Sequence, residues 1–423
     1  MLAFAYAALA HAARLAAVLT PPGEGKTRRA LRARRGIRRR YASWAAVHRE
    51  AARPLVWVHA PSVGEGLQAR PVLERLRRAR PDAQLAYTFF SPSAERFARA
   101  LDVDVSDYLP FDTAGDARAV LDALRPAILV FSKLDVWPVL AREASRRGVR
   151  LALISATLAE GSRRRSWIGE RLLRDAYARL DAVGAIGEGD AARLVALGVR
   201  PDVIRVTGDT RCDQVWARAA AADREGTLLA PLRSPRPTLV AGSTWPADER
   251  VLLAAWADVR RRVPGVRLVI APHEPNPSHL EPIARWAASC GVALARLGEP
   301  TAGTSDVVLV DRVGVLGELY ALADVAYVGG GFHAAGLHSV LEPAAFGAPV
   351  VFGPRWQASR DAGLLRDGGG GIAATNPAEL ARVLGDWLGD PSRRAAAGHA
   401  AREVVRGGLG AADRSFDLVN GLL

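Results

Sequence analysis

The sequence predicts an α/β protein of two doubly wound, Rossmann-like domains facing each other across a cleft, preceded by an apolar helix. Three observations predict it. Short apolar runs alternate with segments of helical period along nearly the whole chain, the pattern of parallel strands joined by crossover helices. A polar stretch, Ala217–Arg236, carries Pro231, Ser234 and Pro235 and interrupts that alternation near the middle. Glycine and polar residues gather directly after several apolar runs, where open parallel sheets bind their ligands.

The apolar N-terminus, Met1–Thr20, contains His11 and Arg14 and ends at Pro21-Pro22. A comfortable spanning helix needs about 20 apolar residues, and a signal peptide places its charges before the apolar stretch. Neither fits. Nine basic residues and no acidic one follow between Lys26 and Arg40, and they supply nine of the +13 net charge. An interfacial helix with arginines against anionic lipid, on the cytoplasmic face, fits this order of residues. The alternative is a first helix packed on its domain with a solvated basic face.

In the first domain, strands are predicted at Leu55–His59, Leu85–Phe89, Ala127–Phe131, Arg150–Ile154, Ala182–Ile186 and Val203–Val206. Helices are predicted at Leu67–Ala79, Ala94–Ala100, Ala117–Leu124 and Val139–Arg147. In the second, strands fall at Thr238–Ala241, Arg267–Ile270, Val307–Val310, Val325–Val328, Pro349–Phe352 and Gly371–Ala373. Its helices are Ala247–Arg262, Glu281–Cys290, Gly317–Ala321, Leu341–Phe346 and Pro377–Leu388. The division is therefore 1–40 for the apolar and basic segment, 41–216 for the first domain, 217–236 for the linker and 237–423 for the second domain. The 423 residues suit two domains, and a hydrophobic half excludes disorder. Cys212 and Cys290 lack zinc or redox spacing and read as small buried residues. No metal-ligand cluster is visible in the sequence.

Three groups of residues carry chemistry. After the first strand comes His59-Ala60-Pro61-Ser62-Val63-Gly64-Glu65-Gly66, where Gly64 and Gly66 permit a tight turn and Glu65 falls near a helix start. A carboxylate held ionised there suits a general base, or a simple helix cap. Ser132-Lys133-Leu134-Asp135-Val136-Trp137-Pro138 closes the third strand. Only Lys26 and Lys133 break an otherwise all-arginine basic set of 57. Lys133 offers a compact charge, toward a substrate carboxylate, toward Asp135, or merely at the surface. In the second domain, Gly242-Ser243-Thr244, Pro272-His273-Glu274-Pro275, Gly329-Gly330-Gly331 and His338-Ser339-Val340-Leu341-Glu342-Pro343 all sit at strand ends or a helix start. Glycine turns feeding helices offer backbone N–H groups to phosphate, while the histidines and Glu342 have purely structural readings as well.

Taken in order, these blocks resemble the Kdo (3-deoxy-D-manno-octulosonic acid) transferase family, inverting sugar transferases of the GT-B fold. The resemblance also runs through Tyr108-Leu109-Pro110-Phe111-Asp112, Gly208 to Asp213, Trp245, Asp311 to Tyr320 and Gly353-Pro354. It implies transfer of Kdo from CMP-Kdo to a lipid A precursor at the inner-membrane surface. It implies Glu65 as base; Lys133 and Asp135 are expected beside it from their own place at the strand end, with Ser62 and Gly64 on the substrate. It places CMP on Ser243, Thr244, His273, Glu274, Gly329, Gly330, Gly331, His338, Ser339 and Glu342, with neither cofactor nor metal. Many members have two glutamates where this chain has Lys133 and Asp135, and arginine-histidine-proline near His273. Competing classes are a UDP-sugar transferase or epimerase of the same fold, and a nucleic-acid binder using the arginine patch. The patch lacks interleaved aromatics. A dinucleotide oxidoreductase would need a G-x-G-x-x-G after a strand, with an acid about twenty residues on, and none is present.

Overall fold

The computed structural model describes residues 2–21, 23, 25–159 and 161–423, so Met1 and Pro22, at the ends of the predicted apolar segment, lie outside the described residues. Fourteen strands among the described residues form two all-parallel sheets of seven. The first contains β1 (Leu55–His59), β2 (Gln84–Phe89), β3 (Val105–Tyr108), β4 (Ile128–Ser132), β5 (Arg150–Ala156), β6 (Ala182–Ala185) and β7 (Ile204–Val206). The second contains β8 (Thr238–Thr244), β9 (Arg267–Pro272), β10 (Leu294–Arg296), β11 (Val307–Leu309), β12 (Val325–Val328), β13 (Val350–Phe352) and β14 (Gly371–Ala373).

Their orders are β3-β2-β1-β4-β5-β6-β7 and β10-β11-β9-β8-β12-β13-β14. Winding runs one way from β1 and the other way from β4, so the first sheet reverses between these neighbours, where Trp57 pairs with Leu129. The second reverses between β8 and β12, where Ala241 pairs with Tyr327. A crevice opens at the carboxyl ends of such a pair. Glu65, Lys133, Ser243 and the glycine turn stand at the ends of these four strands, while His273 and Glu274 follow β9.

Helices on both faces explain why the strands read as unbroken apolar runs. In β8 and β9, Leu239, Ala241, Leu268 and Ile270 join one apolar cluster, while Val240 and Val269 join a second. Successive side chains alternate across the sheet, so each face has its own core. Strands β3 and β10 escaped the sequence reading for the same reason in reverse. Both are short edge strands, and only the last residue of β3 is buried.

The chain divides into two compact units, Met1–Asp213 with Leu409–Leu423, and Gln214–Gly408. This differs from the predicted domains in two places. The helix Thr210–Ala220 runs through the expected boundary at 216/217 and into the predicted linker. The last fifteen residues belong to the first unit, not the second. Their helix, Ala411–Asn420, buries Val419 in the first unit's core. Asp213 caps its start, accepting from the Gly410 and Ala412 N–H groups at 2.8 and 2.9 Å. A cap 197 residues away in sequence leaves no local signal.

Four helices open or flank the first sheet: α1 (Leu2–Leu19), α2 (Lys26–Ala33), α3 (Ile37–His48) and α4 (Val63–Ala79). No helix of the described residues is long and apolar enough to cross a membrane. The basic segment is only partly solvated. Arg34 is buried and donates to the carbonyls of Ala30, Leu109 and Phe90. Arg29, Arg38 and Arg40 pair with Glu95, Asp116 and Asp107, and Arg35 binds carbonyls at the end of α1. The reading of Cys290 as buried is corrected as well, since it lies exposed while Cys212 is buried.

Candidate functional site

In the first unit, β1 delivers the chain to Ser62, which has extended backbone and occupies the N-cap of α4. Glu65 follows in the first helical turn. Its carboxylate accepts from the Ser62 hydroxyl and, at 3.1 Å, from Lys133 Nζ. Burial works to raise this carboxyl's pKa, and Ser62 and Lys133 overcome it, so Glu65 is held below the ordinary carboxylate range. Lys133 is half-exposed and stands at the end of β4 with φ +64°. Among the described residues only three other non-glycines have positive φ, and one is Ser243. Strain of about 1–3 kcal/mol per such residue thus falls at both switch points.

Asp135 takes a different partner from the one its spacing suggested. Lys133 pairs with Glu65, whereas Asp135 Oδ2 lies 2.9 Å from both His59 Nε2 and Trp137 Nε1. Burial pushes the Asp135 carboxyl up, and the bonds from His59 and Trp137 outweigh it, leaving the pKa lowered. His59 is fully buried, with Nδ1 3.0 Å from Thr88 Oγ1, which in turn accepts from Trp57 Nε1 at 2.9 Å. His59 Nδ1 also lies 3.1 Å from the Thr88 carbonyl, so Trp57, Thr88, His59 and Asp135 form one continuous hydrogen-bonded chain. Sequence reasoning took His59 only as the start of a turn. Its signal was a histidine on an otherwise apolar strand.

The glycines of this turn have a different purpose from the one expected. Neither Gly64 nor Gly66 has positive φ, and both lie within α4. At Gly64 a side chain would meet only Ser62 Oγ, at 3.8 Å. At Gly66 a Cβ would stand 2.7 Å from Tyr87 Oη and 2.5 Å from Phe97 Cε1. Close helix packing requires Gly66, while Gly64 leaves open space beside Ser62.

In the second unit, β8 carries an irregularity at Ser243 (φ +53°), after which Thr244 pairs with Pro272. The expected turn residues Gly242, Ser243 and Thr244 are therefore the end of the strand itself. Trp245 follows and gathers the histidines. His333 stacks on it at 4.3 Å and 10°, His273 lies at 4.7 Å, and its indole N–H donates to His338 Nε2 at 3.1 Å. Burial, with His273 and His333 adding to it, lowers the His338 pKa to about 4. His338 is neutral near pH 7, with Nε2 as acceptor. The Thr244 hydroxyl donates to Glu249 at 2.9 Å, and Glu274 is exposed.

The glycine turn is held by a residue that the sequence reading passed over. Fully buried Asp248 accepts from the N–H groups of Trp245 (3.0 Å), Gly330 (2.8 Å) and Phe332 (3.1 Å), and from the Tyr327 hydroxyl (3.2 Å). Gly330 needs its φ of +94°, and Gly331 faces the Gly353 backbone too closely for any side chain. Two of the three N–H groups of this turn are engaged within the protein. The Gly329 N–H goes to Gly242 O and that of Gly330 to Asp248, so neither is free for a ligand. Nor does the turn feed a helix directly, since Phe332–Val340 intervenes before the short helix Leu341–Ala345. Glu342 pairs with Arg218 at 3.0 Å, and burial raises its carboxyl against the pull of that guanidinium. Ser339 lies between His338 and this helix, half-buried. Among the described residues no group of three or more His, Cys, Asp or Glu side chains is gathered to hold a metal ion.

Residues 31–214 match the family described as 3-deoxy-D-manno-octulosonic-acid transferase (Kdo transferase). The chain is 32% identical over 379 residues to the 3-deoxy-D-manno-octulosonic acid transferase of Bordetella pertussis, covering 86% of each. It is 30% identical to the protein of the same name from Chlamydophila psittaci, covering 81% of this chain and 79% of that one. Among solved structures, the UDP-GlcNAc 2-epimerase of Neisseria meningitidis aligns with TM-score 0.63 over 84% of this chain and 97% of that one. At 13% identity it shows the shared two-domain GT-B fold alone.

Proposed function

This chain belongs to the Kdo transferase family and is a glycosyltransferase of the GT-B fold, and from that premise we propose how its residues divide the reaction. An acceptor hydroxyl on a lipid A precursor attacks the anomeric carbon of CMP-Kdo. Its proton passes to Glu65, the bond from that carbon to the CMP phosphate breaks, and the configuration inverts. The observation that carries this reading is the Glu65 carboxylate, kept ionised by Ser62 and Lys133 at the β1/β4 switch point. Asp135, anchored by His59 and Trp137, keeps the turn after β4 in place and so positions Lys133. In the second unit, Trp245 with His273, His333 and His338 forms the aromatic wall for the nucleotide, and Glu342 is the acceptor for its ribose. Departure of CMP is assisted by fixed dipoles in the second unit, with no metal ion. The deciding experiment incubates purified protein with CMP-Kdo and a tetra-acylated lipid A precursor and resolves products by mass. A Kdo adduct with release of CMP is expected. Transfer from UDP-sugars instead, or stabilisation against heat by UDP and not CMP, would overturn the donor assignment.

Lys133→Ala is expected to move the acid limb of kcat/KM to higher pH. In the wild type Lys133 favours the charged form of Glu65, so the limb lies below the usual carboxylate value of about 4.3. Removing the ammonium raises the Glu65 pKa and shifts the limb with it. An unmoved limb would separate Glu65 from the titration.

The first unit also meets the membrane surface in this reading. Phe4, Leu15, Val18 and Leu19 lie exposed, and at their spacing they share one face of α1. Lys26, Arg28, Arg32 and Arg39 have no ion pair among the described residues, four cations where the sequence offered nine. Each contributes on the order of 1 kcal/mol near anionic lipid. Binding to anionic liposomes is expected to weaken steeply as salt rises. The triple change Leu15→Ser, Val18→Ser, Leu19→Ser is expected to weaken it at least about tenfold. Undiminished binding by that variant would remove α1 from the contact.

A further inference from the structure

The opposite face of α1 covers a cavity of about 440 Å³ in the first unit, within the range of small-ligand sites. Tyr6, Ala10 and Ala13 of α1 form its roof, Leu31 of α2 one side, and Phe90 and Trp137 the wall toward the sheet. The rings of Phe90 and Trp137 stack at 5.6 Å and 18°. The two alanines make the space. Residues at 6, 10 and 13 recur with helical period on the inner face, and two of the three carry only a methyl group.

Polar groups in the walls are already engaged within the protein. Tyr6 donates to Asp112 at 2.6 Å, and Asp112 also accepts from the Val139 and Leu140 N–H groups. Arg34 gives its Nε, Nη1 and Nη2 to three backbone carbonyls and lays its guanidinium on the Phe90 ring at 4.0 Å. The Trp137 indole N–H is committed to Asp135. What faces the cavity is therefore carbon, which suits an alkyl chain and offers little to a sugar or a base. The rim is different. Exposed Lys26 and Thr27 stand there. An apolar slot with a cationic rim matches a lipid whose head is a phosphate.

We propose that this cavity seats one acyl chain of the phosphorylated lipid acceptor, held beneath α1 while the acceptor hydroxyl is presented to Glu65. The inference rests on the Kdo-transferase reading for the identity of the lipid, though not for the binding of the chain. Trp137 links the two places: its ring walls the cavity, and its N–H anchors Asp135 in the turn that also carries Lys133.

The test uses the full chain in detergent-free solution, with displacement of a fluorescent fatty acid by dodecyl phosphate, octyl phosphate and inorganic phosphate. Dodecyl phosphate should bind at least about tenfold tighter than octyl phosphate, since each methylene contributes up to about fourfold. Inorganic phosphate should not compete. Ala10→Trp fills the cavity and should abolish alkyl binding. Ala13→Leu, a smaller intrusion, should weaken it severalfold and serves if Ala10→Trp melts early by circular dichroism. In transfer assays these variants should raise KM at least about tenfold for the tetra-acylated acceptor, but not for the de-acylated disaccharide phosphate. Alkyl binding lost in the variants, with no Kdo transfer by the wild type, would keep the pocket and remove the transferase reading. Transfer by the wild type with equal KM values for acylated acceptor in variant and wild type would remove the pocket and keep the transferase. Competition by inorganic phosphate as strong as that of dodecyl phosphate would make the site an anion site and overturn the proposal.

Discussion

Glu65→Gln is expected to lose at least about 10²-fold in kcat while leaving the fold and the affinity for CMP unchanged. The amide is isosteric with the carboxylate: its oxygen still accepts from Lys133 and its N–H₂ can donate to the Ser62 hydroxyl, so the turn after β1 keeps its geometry. What it cannot do is take a proton. The ion pair it removes includes a half-exposed lysine, and such pairs contribute little to stability. A loss in kcat with an unchanged melting temperature therefore isolates the proton transfer. Near-normal turnover in this variant would remove Glu65 from the mechanism and direct attention to Asp135, the other half-buried carboxylate at the same switch point.

Asp248→Ala is expected to give the largest structural effect in the second unit. The carboxylate is the common acceptor for three backbone N–H groups and the Tyr327 hydroxyl, all gathered at the β8/β12 switch point. Each donor left unpaired in a buried site costs about 1–3 kcal/mol. Water can enter the space left by the side chain and recover part of that, so a net loss of about 3 kcal/mol is expected, or a fall in Tm of roughly 6 °C or more. Because Asp248 also sets the start of the helix Pro246–Arg262 and the course of the Gly329-Gly330-Gly331 turn, CMP affinity should fall at least tenfold. Asp248→Asn keeps one acceptor oxygen but turns an N–H₂ toward another donor, so its losses should be intermediate. Thermal unfolding and CMP titration of both variants check this. A Tm within about 1 °C of wild type, with CMP affinity intact, would mean that the turn is self-supporting through its glycines.

These two residues differ in how legible they were. Glu65 stands in a short block directly after an apolar run, between glycines, and its place in the first turn of a helix could be read from that alone. Asp248 sits among Pro246, Ala247 and Glu249 at a helix start, where an acid is expected for ordinary capping. Nothing local shows that it reaches a turn 82 residues later. Arg218, the partner of Glu342 from 124 residues away, was hidden in the same way, inside a stretch that reads as a polar linker.

The sequence by itself determined the strands that are buried on both faces, the residues that close them, and hence the strand ends where chemistry is gathered. Burial between two helical layers demands an unbroken apolar run, and such a run is visible in one dimension. Only the tertiary structure decided which charge meets which. Lys133 is two residues from Asp135 yet pairs with Glu65 across the switch point. Asp135 instead meets His59 from the neighbouring strand, and the arginines of 26–40 divide between buried bonds and open surface. The final helix returns to the first unit because Asp213 and an apolar pocket for Val419 await it there. Charge pairing falls off over a few ångströms, so it depends on distances that strand pairing sets between residues remote in sequence, and no periodicity along the chain records them.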